Sequence, residues 1–131
     1  MRDLWRHGML DLDRSYAQAR EKGAAMSDYV LLYSGGKMPE SDEETAAVMQ
    51  AWTDWMGELG DSLKDGGNPF TPAAKTISAD GSVTGGPVGA MATGYSIIKA
   101  DSLDDAVSMA KGCPVLLGDA KITVYETFQV M

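Results

Sequence analysis

The sequence predicts an α+β fold, with one antiparallel sheet and two helices packed on one of its faces in a split βαβ order. Three observations predict it. Tyr29-Val30-Leu31-Leu32-Tyr33 is strand-like and runs into a capped helical segment. Gly94-Tyr95-Ser96-Ile97-Ile98-Lys99 repeats that event, a strand leading into a second capped segment. Between them, Asp80-Gly81 sits between two short branched runs, as a hairpin turn does.

Composition sets the frame. The chain has 131 residues, 44% of them hydrophobic and 23% charged, which fits one ordinary globular domain. Its net charge of −8 opposes phosphate backbones and anionic membrane surfaces, and no basic patch offsets it. No partner of either kind, nucleic acid or membrane, is therefore expected. No apolar run approaches the ~20 residues of a membrane span. Cys113 is the one cysteine and cannot close an internal disulfide, which fits a reducing, cytoplasmic setting.

Residues 1–25 differ from the rest. They hold Arg2, Arg6, Arg14, Arg20 and Lys22 against Asp3, Asp11, Asp13 and Glu21, so this segment is +1 and residues 26–131 carry −9. Leu4, Trp5, Leu10, Leu12 and Tyr16 form a loose helical pattern without the continuous apolar stretch of a signal peptide. The segment reads as an extension without a role in chemistry. The alternative is an arm that packs on a partner subunit with Trp5 as its anchor. Residues 26–131 form the expected domain.

Each element has a local reason. The first strand, Tyr29 to Tyr33, has no Gly or Pro, is apolar on both faces, and ends at Gly35-Gly36. It is therefore expected to be covered on both sides. Ser41 and Glu44 make a capping box for the first helix, and Asp42, Glu43 and Glu44 suit its dipole. Val48, Trp52, Trp55, Met56, Leu59 and Leu63 recur at helical steps. The helix is expected from about Asp42 to Lys64, stopped by Gly66-Gly67. Asn68 to Pro72 is irregular chain, and Lys75 to Thr84 a hairpin. Gly85-Gly86-Pro87-Val88-Gly89 is a loop. Asp101 or Ser102 caps the second helix, with Leu103, Ala106, Val107 and Ala110 as its buried stripe and Gly112 and Pro114 as its end. Ala120 to Val130 is the last strand, marked by Ile122, Val124, Phe128 and Val130.

This order is ferredoxin-like. Two helices cover one face of the sheet, so the other face is left bare, with exposed residues drawn from Tyr29, Leu31, Tyr33, Tyr95 and Ile97. Burying each large apolar side chain is worth about 1.5–3 kcal/mol. The expected cover is a second sheet from another subunit, giving a homodimer built as an α+β barrel.

From Tyr29 to Val130 the chain resembles the YCII-related family, in its Asp-Gly-Pro-Phe (DGPF) branch. The resemblance is carried by Tyr29 to Tyr33, the long helix after Ser41, Gly85-Gly86-Pro87-Val88, the segment Gly94 to Ala106, and Gly112-Cys113-Pro114. In the loop, Gly85 stands in place of the branch's Asp and Val88 in place of its Phe. The resemblance implies the dimeric α+β barrel. Some members of the family use a His–Asp pair in a cleft beside the first helix. Here the one histidine, His7, lies in the extension, and Cys113 stands where such members have Asp before Pro. That pair cannot be carried over.

The remaining chemistry is sparse. Cys113 reads as a buried structural thiol at a helix C-terminus, or else as a nucleophile. Asp104 and Asp105 suit a solvated first helical turn. Glu126 reads as an exposed strand residue, or else as a carboxylate facing a cleft. Trp52 and Trp55 are packing residues or one wall of a pocket. The Gly85–Val88 loop has no phosphate-binding fingerprint. The nine methionines read as core filler. No cofactor is expected, and no metal, because no cluster has ligand spacing.

The function expected is binding of a small molecule in a cleft between the first helix, the sheet and the Gly85–Val88 loop. Tyr33, Trp52, Asn68, Phe70, Gly86, Pro87 and Tyr95 are the expected contacts. One alternative is a small enzyme of lyase, isomerase or dehalogenase type acting on a small cyclic acid. Another is a structural or regulatory dimer without a ligand, for which a cleft filled by Trp52 and Met side chains would speak.

Overall fold

The computed structural model describes residues 26–129. Strands β1 (Ser27–Gly35), β2 (Leu63–Asp65), β5 (Ala92–Ala100) and β6 (Ala120–Glu126) form one sheet in the order β2-β5-β1-β6. Every neighbouring pair is antiparallel. Strands β3 (Lys75–Ile77) and β4 (Val83–Gly85) form a separate two-stranded sheet. Helices α1 (Asp42–Leu59) and α2 (Leu103–Ala110) complete the fold, with short 3-10 turns at Gly60–Ser62 and Pro114–Gly118. The architecture is α+β and compatible with a ferredoxin-like plan. Residues 1–25, with His7 and Trp5, and also Val130 lie outside the described residues.

Helix α1 begins as its sequence demands. The Ser41 hydroxyl accepts from the Glu44 N–H at 3.0 Å, while the Glu44 carboxylate accepts from the Glu40 N–H at 2.8 Å. The capping pair thus reaches one residue further back than a simple box. Its end differs from expectation. The helix stops at Leu59, and Gly60 forms the C-cap, returning its N–H to the Met56 carbonyl. Leu63, Lys64 and Asp65 then leave the helix and pair with β5 as β2. Helical periodicity cannot distinguish Leu63 on a helix from Leu63 on a short edge strand, because either placement buries its side chain. The helix closes at the Gly60 cap, and the free edge of β5 takes up Leu63 to Asp65.

This changes the sheet. The edge strand comes from β2, and the hairpin of β3 and β4 stands outside as an insertion. The hairpin itself forms as expected: Thr76 pairs with Thr84, and the Asp80 side chain accepts from the N–H and the hydroxyl of Ser82 across the turn.

The core lies between the sheet and the helices. Tyr29, Leu31 and Tyr33 of β1 are buried there with Ile98 and Ala100 of β5, Trp55 of α1, and Ala106 and Ala110 of α2. Ile122 and Val124 of β6 pack against them, and so do Trp52, Met56 and Leu63. Tyr29, Leu31 and Tyr33 therefore belong to the helix face and not to the bare one. Register identifies the opposite face: Val30 is paired with Ile97 and Tyr125, and Leu32 with Tyr95 and Thr123. Of the residues expected there, Tyr95 and Ile97 hold their place, and Val30, Leu32 and Tyr125 join them. A strand that is apolar on both faces gives no clue to which parity meets the helices. Helix α2 also differs from its expected stripe: Ala106 and Ala110 are buried, while Leu103 and Val107 are exposed. Two alanines let so short a helix lie close on the sheet.

Candidate functional site

The polar centre of the molecule is built across β1, β5 and the turn after α2. Tyr33 is at the end of the buried row on β1, and its hydroxyl donates to Ser96 Oγ on β5 at 2.7 Å. Ser96 is fully buried and donates its own proton to the Gly66 carbonyl at 2.9 Å. The Cys113 thiol donates to the Tyr33 hydroxyl at 3.7 Å. The chain of donors runs Cys113, Tyr33, Ser96, Gly66, and it ends on a backbone oxygen. Among the described residues no buried side-chain polar atom lacks a partner.

Electrostatics keep this centre protonated near neutrality. Burial pushes the Tyr33 phenol far above its ordinary value, more than the Ser96 hydrogen bond lowers it. Burial likewise raises the Cys113 thiol, with hydrogen bonds to Val115 and Tyr33 opposing. Cys113 follows the C-terminal end of α2, its N–H bonding the Ala110 carbonyl at 2.9 Å, and it is also the N-cap of the Pro114–Gly118 turn. Burial, not a helix dipole, sets its state. Both groups hold their protons at pH 7, so neither is a base or a thiolate nucleophile there.

A pH prediction follows from the sign. For both groups the folded form binds the proton more tightly than the unfolded form. Their contribution to stability is full below the ordinary thiol value of 9.0 and is lost as pH rises above it. Stability is expected to stay flat from about pH 6 to 8 as far as these groups are concerned. Native Cys113, 2% exposed, should react with iodoacetamide at pH 8 at least about a hundredfold more slowly than the urea-unfolded chain. Equal rates in the two states would refute the buried-thiol assignment.

An aromatic ladder lies beside the polar chain. The Trp52 ring meets Tyr33 edge-on at 5.8 Å between centroids, and meets Trp55 edge-on at 5.6 Å. Trp55 is 3% exposed, and its indole N–H donates to the Met109 carbonyl at 3.0 Å, tying α1 to α2. Met56 packs on the same cluster. The space between α1 and the sheet is thus occupied by Tyr33, Trp52, Trp55 and Met56.

The structure divides the seven expected contact residues into three places. Tyr33 and Trp52 touch each other on the helix side. Phe70 and Tyr95 stack at 5.7 Å on the bare side, where the Tyr95 hydroxyl meets Asp65 at 3.4 Å. Asn68 precedes the bridge between Pro69 and Gly94, and its carbonyl lies against Gly94. Gly86 belongs to the hairpin, where its N–H bonds the Ala74 carbonyl and its carbonyl accepts from Thr76, and Pro87 follows it. Tyr33 and Tyr95 point to opposite faces of the sheet, since strand neighbours alternate.

An open groove of about 320 Å³ lies elsewhere, between α1 and the turn after α2. It is lined by Asp54, Trp55, Glu58, Lys111, Cys113 and Leu117, among others, and by none of the seven. Glu126 lies on β6 opposite Tyr29, on the helix side and partly buried. Asp104 and Asp105 occupy the first turn of α2, behind the Ser102 cap. Among the described residues no group of three His, Cys, Asp or Glu side chains could hold a metal ion. No described helix is long and apolar enough to cross a membrane.

Sequence reasoning missed Ser96 and the Gly66 carbonyl. The signal available for Ser96 was its two-residue step from Ile98 on an apolar strand, which places a small polar group on the buried row. Nothing local marked the Gly66 carbonyl, because its partner is thirty positions away. In comparisons with known proteins, no family model and no curated protein matches the chain.

Proposed function

We propose that this chain is the subunit of a homodimeric structural or regulatory module, two sheets meeting through their bare faces as an α+β barrel. The observation that carries this reading is the face itself. Val30, Leu32, Tyr95 and Ile97 lie together on its two central strands, with Tyr125 beside them at 54% exposure. A contiguous apolar face of this kind marks an interaction surface. Sheet packing on sheet is the arrangement that removes it from water. The resemblance to the YCII-related family supports the same assembly. The filled space between α1 and the sheet supports a module without a ligand in that cleft. The protonated state of Tyr33 and Cys113 speaks against the enzymatic alternative at that centre.

A second reading keeps the small molecule and moves it. The Phe70–Tyr95 stack, with Phe70 44% exposed and Asp65 beside it, offers an aromatic surface at the edge of the bare face. Two of the seven expected contacts meet there. A thermal-shift screen of small aromatic acids and amines, repeated on Phe70→Ala, tests it. A shift that survives the substitution would rule out this location.

The dimer is tested by mass. Sedimentation equilibrium of the full chain at 10–100 μM (about the range where standard interfaces persist) should give twice 13.9 kDa. A mass of 13.9 kDa throughout would refute the proposal.

A further inference from the structure

The hairpin of β3 and β4 is a sheet of its own, and its apolar side chains face water. Ile77 and Val83 are directly paired across its strands and are 72% and 55% exposed. Val88, just past the hairpin, is 83% exposed. A two-stranded hairpin alone is marginal in water and needs a further surface to be stable. The main sheet does not supply that surface through pairing, since no strand of it is bonded to β3 or β4.

We infer that the hairpin is an arm that grips the second copy of this chain, packing its Ile77–Val83 pair against the partner subunit at the edge of the sheet interface. The inference rests on the dimer proposed above and adds to it the element that completes the interface.

The hairpin's root is continuous with the bare face, and this favours a second copy as the occupant. The Phe70 N–H bonds the Thr93 carbonyl at 2.8 Å, and the Phe70 ring stacks on Tyr95 of the bare side. Met91, 41% exposed, joins the hairpin loop to β5. Phe70 and Met91 thus put exposed apolar side chains at the two points where the chain passes between the sheet and the arm. Lys75 and Asp80 are the only charged residues of the hairpin, so it carries no net charge to repel an identical, acidic subunit.

The test uses the full chain with Ile77→Ser and Val83→Ser together. Both positions are exposed in the subunit, so the main core does not depend on them. The dimer dissociation constant, from sedimentation or dilution light scattering, is expected to rise at least tenfold with the helical circular dichroism unchanged. Hydrogen exchange is the second measurement. The Thr76 and Thr84 amides, which face each other as a hydrogen-bonded pair, should be protected in wild type at high concentration and lose protection on dilution below the dissociation constant. A wild-type dimer whose dissociation constant is unmoved by the double substitution, and whose hairpin exchange ignores dilution, would overturn the arm and leave the sheet-to-sheet dimer standing. A monomeric wild type would overturn both.

Discussion

Ile97→Lys is expected to split the proposed dimer. Ile97 sits on β5 at the centre of the bare face, directly beside Val30 of β1. In the lone subunit the side chain is only partly buried, so a lysine there reaches water and the fold survives. In the proposed barrel the same ammonium would be enclosed between two apolar sheets, and a twofold axis would bring in a second copy of it. An unpaired buried charge costs several kcal/mol. Two of them should raise the dissociation constant by well over a hundredfold, since each 1.4 kcal/mol is about a factor of ten. Sedimentation at micromolar concentration is expected to show a folded monomer with native circular dichroism. A variant that remains dimeric would mean that this face is not the interface, whatever the wild-type mass.

Gly67→Ala is expected to be the most damaging small substitution in the subunit. Gly67 has φ of +74°, and a Cβ built there would stand 1.6 Å from the Tyr95 carbonyl oxygen. That is an overlap with backbone, and no side-chain rotation relieves it. The chain between β2 and Pro69 would have to lift off β5. Three contacts would go with it: the Ser96 bond to the Gly66 carbonyl, the Gly67 N–H bond to Asp65, and the Asp65 contact with Tyr95. Losing an aligned hydrogen bond to a buried group costs about 1–3 kcal/mol. Left-handed strain adds about 1–2 kcal/mol. A loss of roughly 3 kcal/mol or more is expected, which for a chain of this size lowers Tm by about 10 °C or more. Gly81→Ala is the control. Gly81 also has positive φ, at +90°, yet a Cβ placed there would meet nothing within 4 Å. It should lose only the conformational part. Equal effects at 67 and 81 would show that the close approach to β5 is not real.

These two outcomes concern different layers of information. Capped starts were legible locally: Ser41 and Ser102 each accept from the N–H three residues on, as their spacing implied. So was the hairpin, because Asp80-Gly81 closes a turn with contacts only two to four residues apart. The end of α1 was less legible. Leu63 satisfies a helical period and an edge strand equally well, and the choice depended on β5 offering a free edge. The face of β1 was illegible for the same reason. With Tyr29, Leu31 and Tyr33 alternating against Val30 and Leu32, both parities are apolar. Only the packing of Trp55, Ala106 and Ala110 selects one.

The candidate site shows the limit most plainly. Tyr33, Trp52, Phe70 and Tyr95 were all marked by type as residues worth watching. Their grouping was not marked, because one residue of register sends Tyr33 and Tyr95 to opposite sides of the sheet.

By itself the sequence determined the α+β class, the two capped helices and the turn of the hairpin, because those depend on contacts within a few residues. The tertiary structure alone decided which strand takes the sheet edge, which face is bare, and that Cys113, Tyr33 and Ser96 form one closed chain of hydrogen bonds. Those outcomes depend on partners thirty to eighty positions apart, where only packing and register can choose.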